Sequence, residues 1–305
     1  MYGMVIDLNK CLGCQACSIA CKMLWSNRDG AQHMWFTIVE TRPGQGYPYN
    51  WLEKTKKKAG MDDKDYENVP KFDYSKLHNN PGKGLPNIGI NLKNGPNYYE
   101  DMGRGKNVND EWFFYLPMIC MHCEDPACMK ACPAKAIYKT REGFVLIDSE
   151  KCEGAGECID ACPYKRIFFN KNMDKAEKCI FCFPRLEKGE PPACVITCPG
   201  KARFFGKLND KDSPVYKLVK KYKVAVPLLS EFNTKPKVFY IPPVMVAENK
   251  IDDKGNSSGE RIDYTYLEEL FGKKVKEIKK ILDNERNKSH SELIDVLTGF
   301  PTWKL

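Results

Sequence analysis

Apolar side chains in this sequence fall in short runs, and the runs recur. Met4 to Asn9 is apolar and β-branched enough for a short strand. Trp35, Phe36, Ile38 and Val39 read as another, and Glu111 to Pro117 leads into the cysteine group that begins at Cys120. Ala136–Lys139 and Phe144–Asp148 flank Glu142-Gly143 and predict strand, turn, strand. Arg166–Phe169 and Ala202–Phe205 are further β-rich runs. Phe239 to Val246 is interrupted by Pro242 and Pro243, which predicts an edge strand. From Asp263 to Leu297 the spacing changes. Tyr266, Leu267, Leu270, Phe271, Val275, Ile278, Ile281 and Leu282 recur at three- and four-residue steps, predicting an amphipathic helix. Such a helix either packs on its own protein or serves as an arm that grips another subunit.

The cysteines sit in front of these runs. Cys11, Cys14, Cys17 and Cys21 form one group, and Cys120, Cys123, Cys128 and Cys132 a second. Cys152, Cys158 and Cys162 form a third, and Cys179, Cys182, Cys194 and Cys198 a fourth. Together they account for all 15 cysteines. An odd number in tight C-x2-C and C-x3-C runs is not the pattern of a disulfide framework. Gly13 lets the first loop turn tightly around one centre. Cys21 follows after three residues, so it lies one turn into a helix and points to a different centre. Proline follows Cys132, Cys162 and Cys198, and helps to end each helix there. The unit is therefore a cysteine loop, a short helix, Cys-Pro and a β-rich run.

Val5–Cys11 matches Leu146–Cys152, and Cys152 stands 141 positions after Cys11. The same offset carries Cys17 to Cys158 and Cys21 to Cys162, but Cys14 to Ala155. Alanine has no donor atom. The third group thus predicts a 3Fe-4S cluster, with 4Fe-4S clusters at the other three sites, an arrangement that uses every cysteine. Structural zinc more often uses two C-x2-C pairs separated by a longer loop, whereas x2-x2-x3 followed by Cys-Pro is the ferredoxin run. His122, between Cys120 and Cys123, either tunes a cluster, faces a partner or is packed in its loop. No nucleophile triad, paired catalytic carboxylates or phosphate-binding glycine loop is present; Gly154-Ala155-Gly156 belongs to a cysteine motif.

Composition alters this picture little. Hydrophobic residues make up 42% and charged residues 29%, enough for a core in a soluble chain. The net charge is +8, but the lysines are spread out and the one short run is Lys56-Lys57-Lys58. This is a solvated surface, with some Lys and Arg offsetting anionic clusters, and not a nucleic-acid interface. No apolar run spans a bilayer, and the N-terminus lacks the basic head and apolar core of a signal peptide. The chain is expected to remain in the cytoplasm, or to cross a membrane folded with a signal-bearing partner.

The fold class expected is α+β, and the family resemblance carried by the residues flanking the cysteines implies that it is built from two bacterial-ferredoxin-like modules. Residues 1–25 form the first half of module A, and 26–110 form a loop-rich insertion with many turns. Residues 111–172 form module B, and 173–210 the second half of module A. Residues 211–305 are a C-terminal extension for partner docking. In the insertion, Trp51, Tyr98 and Tyr99 either pack on a partner or cover their own core.

The flanking residues carry a resemblance. Asp7-Leu8-Asn9-Lys10-Cys11, Glu40-Thr41-Arg42-Pro43-Gly44, the later cysteine groups and Lys178-Cys179-Ile180-Phe181-Cys182 are similar to the iron–sulfur (beta) subunits of dimethyl sulfoxide reductase-family molybdenum oxidoreductases. The nearest branch holds the ethylbenzene dehydrogenase, selenate reductase, (per)chlorate reductase and dimethyl sulfide dehydrogenase beta subunits, with nitrate reductase beta more distant. The resemblance covers residues 1–210 best, and departs where the branch has tryptophan and this chain has Ala155. It implies crossed ligation. Cys11, Cys14, Cys17 and Cys198 would hold one 4Fe-4S cluster, and Cys21, Cys179, Cys182 and Cys194 a second. Cys120, Cys123, Cys128 and Cys162 would hold a third, and Cys132, Cys152 and Cys158 the 3Fe-4S centre.

It further implies a relay with no catalytic site of its own. Single electrons would pass between a molybdenum catalytic alpha subunit and a haem b gamma subunit, a membrane quinone subunit or a soluble carrier. Co-export to the periplasm with the signal-bearing partner is implied, the cytoplasmic face of the membrane being the alternative. The rival readings are a free-standing polyferredoxin, an electron-transfer subunit of a formate dehydrogenase or hydrogenase, and a zinc-binding module. The insertion and the C-terminal extension favour a docked subunit.

Overall fold

In the computed structural model, residues 1–44, 46–57, 112–246, 249–251 and 257–305 are described. Most of the expected insertion, including Tyr98 and Tyr99, lies outside the described residues. The expected α+β content is present.

Strand β1 (Tyr2–Asp7) is the middle of a five-stranded sheet. Residues 3–7 are all buried, so both faces of the strand are covered, as its continuous apolar run demands. β8 (Arg203–Lys207) runs antiparallel on one side, with Met4 opposite Phe205. β10 (Val238–Ile241) runs parallel on the other, with Met4 opposite Val238. The outer positions belong to β13 (Trp303–Lys304) and β9 (Val226–Pro227). The expected edge strand at 239–246 is thereby corrected. β10 is interior and ends before Pro242-Pro243, and the proline inside an edge strand is Pro227. The expected strand at 4–9 also begins and ends earlier. The Asp7 carboxylate accepts from the backbone and side-chain N–H of Asn9, at 3.0 and 2.8 Å, and turns the chain toward Cys11.

Three antiparallel strand pairs lie along the stretches that carry the cysteines. β2 (Thr37–Arg42) pairs with β3 (Phe114–Ile119), β4 (Ile137–Lys139) with β5 (Val145–Ile147), and β6 (Ile167–Asn170) with β7 (Lys175–Lys178). The middle hairpin is the strand–turn–strand of the apolar pattern. β7 is polar in sequence and was not anticipated.

Short helices follow the loops. α1 (Ala16–Cys21) packs on α6 (Ala193–Ile196), and α3 (Ala127–Ala131) packs on α4 (Glu157–Ala161). α2 (Trp51–Lys56) buries Trp51, whose indole N–H donates to Glu40 at 3.0 Å. Trp51 therefore serves its own core.

The expected single helix at 263–297 is three helices. These are α8 (Tyr264–Phe271), α9 (Val275–Arg286) and α10 (Glu292–Thr298). Gly272, at φ 82°, stops the first, while Asp263 and Ser291 cap α8 and α10 by accepting from Tyr266 and Ile294 N–H. Leu267, Leu270, Phe271, Val275, Ile278 and Leu282 are buried in the protein's own core. Among the described residues no helix is long and apolar enough to cross a membrane.

Candidate metal centres

Each Cys-Pro corner folds the same way. The third residue after the cysteine is a lysine in left-handed backbone: Lys135 (φ 49°), Lys165 (49°) and Lys201 (48°). Its N–H donates to the cysteine carbonyl, at 3.2, 3.1 and 3.1 Å respectively. The next N–H turns toward the sulfur. Ala136 donates to Cys132 Sγ and Ala202 to Cys198 Sγ, both at 3.3 Å, and the Arg166 N–H plays this part for Cys162. Such bonds favour a charged sulfur. A β-strand then begins, as β4, β6 or β8.

The two matching N-terminal loops also share a backbone. Asp148 accepts from Glu150 N–H at 3.0 Å, as Asp7 does from Asn9. Gly13 and Gly154 (φ 67° and 74°) and Gln15 and Gly156 (58° and 87°) occupy equivalent left-handed positions.

None of the fifteen cysteines forms a disulfide. Cys11, Cys14, Cys17 and Cys198 line one cavity, and Cys21, Cys179, Cys182 and Cys194 line another. Cys123 and Cys128 lie within electrostatic reach of Cys120 and Cys162, and Cys158 lies within reach of Cys132 and Cys152. These gatherings abut one another in series. Cys194 is within reach of Cys17, Cys179 of Cys120, and Cys158 of Cys162.

Burial pushes the thiols of Cys11, Cys123, Cys158 and Cys194 up to about 12, and neighbouring cysteine charge adds to it. Cys21 and Cys179 are driven well above the ordinary thiol range for the same reasons. Only a strongly cationic ligand keeps such sulfurs as thiolates at neutral pH.

The surroundings fit an anionic, thiolate-bound group. Arg166, Arg203, Lys165 and Lys178 are all buried, and among the described residues none pairs with a carboxylate. Lys165 Nζ donates to the Asp160 carbonyl at 2.7 Å, and Lys178 Nζ to the Val145 and Cys179 carbonyls. Arg203 Nη2 donates to Cys17 Sγ at 3.3 Å and to Thr37 Oγ1 at 3.0 Å. Elsewhere the chain pairs its buried cations normally, Arg42 with Glu40 and Lys237 with Glu124. Bare buried charges cost several kcal/mol each, and three of the four, Arg203, Lys178 and Lys165, lie beside cysteines, where a negative group belongs. A single zinc ion would draw its sulfurs to within about 4 Å of one another. Among the described residues no three His, Cys, Asp or Glu side chains gather to hold one ion.

His122 is packed inside, neither exposed nor facing a partner. It stacks on Phe181 with ring centroids 4.4 Å apart, and Nδ1 accepts the Val145 N–H at 3.1 Å. Burial, with Lys178 and Lys237 nearby, holds its pKa well below the ordinary value. The sequence pattern did not single out Arg203, the +3 lysines or Trp25, whose Nε1 donates to Cys182 Sγ at 3.2 Å. The recurring lysine after each Cys-Pro was a legible signal.

A family model described as a 4Fe-4S dicluster domain matches residues 111–208. The dimethylsulfide dehydrogenase subunit beta of Rhodovulum sulfidophilum is 46% identical over 97% of this chain and 95% of its own. The selenate reductase subunit beta of Thauera selenatis and the chlorate reductase subunit beta of Ideonella dechloratans are each 44% identical, with the same coverage. The Escherichia coli respiratory nitrate reductase 1 beta chain is 33% identical over 82% of this chain and 70% of its own. With this likeness spanning nearly the whole sequence, the chain belongs to the iron–sulfur beta subunits of dimethyl sulfoxide reductase-family molybdenum oxidoreductases, the electron-transfer component without a catalytic site of its own.

Proposed function

We propose that this chain relays single electrons through three 4Fe-4S centres and one 3Fe-4S centre, between a molybdenum catalytic alpha subunit and a further redox partner. The observation that carries this reading is the serial placement of four cysteine gatherings, each within electrostatic reach of the next. The first is Cys11, Cys14, Cys17 and Cys198, and the second Cys21, Cys179, Cys182 and Cys194. The third is Cys120, Cys123, Cys128 and Cys162, and the fourth Cys132, Cys152 and Cys158. When bound, an iron–sulfur cluster takes up and gives back one electron at a potential set by its type, charge and hydrogen bonds.

The chain's own residues do the rest. The cysteines hold, and the N–H groups of Ala136, Ala202 and Phe181 donate to sulfur. The buried cations offset negative charge, and the apolar core keeps water out. Two paired helices, α1 with α6 and α3 with α4, support the two-module reading. The C-terminal extension adds β9, β10 and β13 to the sheet of module A.

Leu12, Ile19, Met23, Leu24 and Ile196 are exposed. They lie on the loop and short helices that carry Cys11, Cys21 and Cys194, and form the apolar surface that we assign to the catalytic subunit. A haem b or membrane quinone subunit, or a soluble carrier, completes the relay. Export to the periplasm with a signal-bearing partner is the compartment favoured, over the cytoplasmic face of the membrane.

Anaerobic purification from the native host tests this reading. The expected result is co-purification with a molybdenum-containing chain, about fifteen iron atoms per polypeptide, and the sharp EPR signal of an oxidised three-iron centre. A monomer with no molybdenum partner favours a free-standing polyferredoxin, and zinc in place of iron removes the relay.

A further inference from the structure

Arg203 stands apart from the other buried cations because its guanidinium donates directly to a cysteine sulfur of one gathering while its charge acts on a cysteine of the next. It is 1% exposed and lines the first cavity. Nη2 donates to Cys17 Sγ at 3.3 Å and to Thr37 Oγ1 at 3.0 Å, while Nη1 lies 3.7 Å from Met4 Sδ. Its charge is within reach of Cys11, Cys17 and Cys198 on one side and of Cys194 on the other. Cys194 belongs to the second cavity. Among the described residues no carboxylate pairs with it. Its position is fixed, since it is the first residue of β8, beside the central strand.

We infer that Arg203 is a shared positioning charge for the first two centres, raising the potentials of both together so that an electron passes between them without a large step. The inference rests on the cluster assignments proposed above. A fixed cation in a medium of low dielectric stabilises the form carrying one more electron. Because the guanidinium touches a ligand of one centre and acts on a ligand of the next, its removal moves both. The third gathering has its own cations, Lys178 near Cys128 and Lys165 near Cys162.

The test is EPR-monitored redox titration of the anaerobically purified complex carrying Arg203→Met, with iron content measured alongside. At a fixed solution potential, the reduced-to-oxidised ratio of two four-iron centres is expected to fall at least tenfold, which is about 59 mV for one electron. The remaining four-iron centre and the three-iron centre should stay within twofold. Arg203→Lys, which keeps the charge, should restore most of the shift.

Thr37→Asp provides a second route if Arg203→Met does not load iron. It places a carboxylate beside an intact guanidinium and should lower the same two potentials, while Thr37→Asn leaves them unmoved. Unchanged potentials in Arg203→Met or Thr37→Asp with full iron overturn the inference and leave the relay standing. An equal shift of all four centres, or a shift in Arg203→Lys as large as in Arg203→Met, also overturns it. Wild-type complex without iron overturns the relay instead.

Discussion

Ala155 occupies in its loop the place that Cys14 occupies in the N-terminal loop. The neighbours on both sides, Gly154 and Gly156 against Gly13 and Gln15, hold left-handed backbone in each case. Both Cys14 and Ala155 are exposed. The loop has the backbone shape of the N-terminal loop, with no sulfur at this position. Ala155→Cys is therefore expected to admit a fourth iron, abolish the three-iron EPR signal and lower the centre's potential. Iron analysis and EPR of the anaerobic variant check this, and an unchanged spectrum would count against the register between the loops.

Gly13 and Gly156 both have positive φ, but their surroundings differ. A Cβ on Gly13 would lie 2.5 Å from the Tyr115 ring, whereas one on Gly156 meets nothing within 4 Å. Left-handed backbone alone costs a non-glycine residue about 1–2 kcal/mol. Gly156→Ala should thus keep its iron with a small loss of stability. Gly13→Ala must also displace Tyr115, and should lose about four iron atoms per chain. Iron content of the two variants, measured side by side, decides the point.

Glu40 is fully buried and collects three donors: Arg42, the Tyr47 N–H at 3.1 Å and the Trp51 indole N–H at 3.0 Å. Replacing it by alanine takes the Glu40 carboxylate from the buried Arg42 charge, at a cost of about 3–5 kcal/mol. Trp51→Phe removes one hydrogen bond of about 1–2 kcal/mol and keeps the ion pair. Denaturant unfolding of the two variants should therefore rank Glu40→Ala well below Trp51→Phe.

The acid side of the stability curve should respond to Glu292. Hydrogen bonds from Lys221, Tyr222 and Lys217 hold its carboxyl at about 2, below the ordinary 4.5. A depressed carboxylate contributes stability above its unfolded value and loses it as pH falls toward the folded one. Its side chain is 38% exposed, so solvent limits the effect to about 1 kcal/mol or less. The difference in thermal midpoint between wild type and Glu292→Gln should be largest at pH 7 and narrow as pH falls from about 5.5 toward 2.

Met23 and Ile19 test the assigned docking face. Both are exposed and belong to the helical turn that carries Cys21, without entering the core. Met23→Glu is expected to retain iron but to co-purify with less of the molybdenum chain. Full recovery of the partner would move the interface elsewhere.

The cysteine chemistry was legible because it is local. A spacing of two or three residues fixes which sulfurs share a loop, and the match of Val5–Cys11 with Leu146–Cys152 exposed the missing ligand. What the pattern left out is long-range. Met4 pairs with Val238 across a parallel ladder, and no local periodicity reports that β10 lies beside β1. The prolines at 242 and 243 mark the end of a strand as readily as an edge. β7 escaped notice because Lys175, Glu177 and Lys178 are polar, yet hairpin pairing with β6 holds them in place. Arg203 is one residue of the β-rich run Ala202–Phe205 in sequence, and its surroundings appear only once the loops close.

The position of β1 constrains how the protein can be made. Its two ladder partners are translated some 200 and 235 residues later, so a nascent chain emerging from the ribosome carries its first cysteine loop with no sheet to rest on. Metal delivery before the last third is synthesised would meet an unframed thiol cluster, open to the wrong metal or to oxygen. Maturation therefore belongs after translation, on a finished polypeptide, and any factor that guards this protein during biogenesis has the N-terminal loop to shield until then.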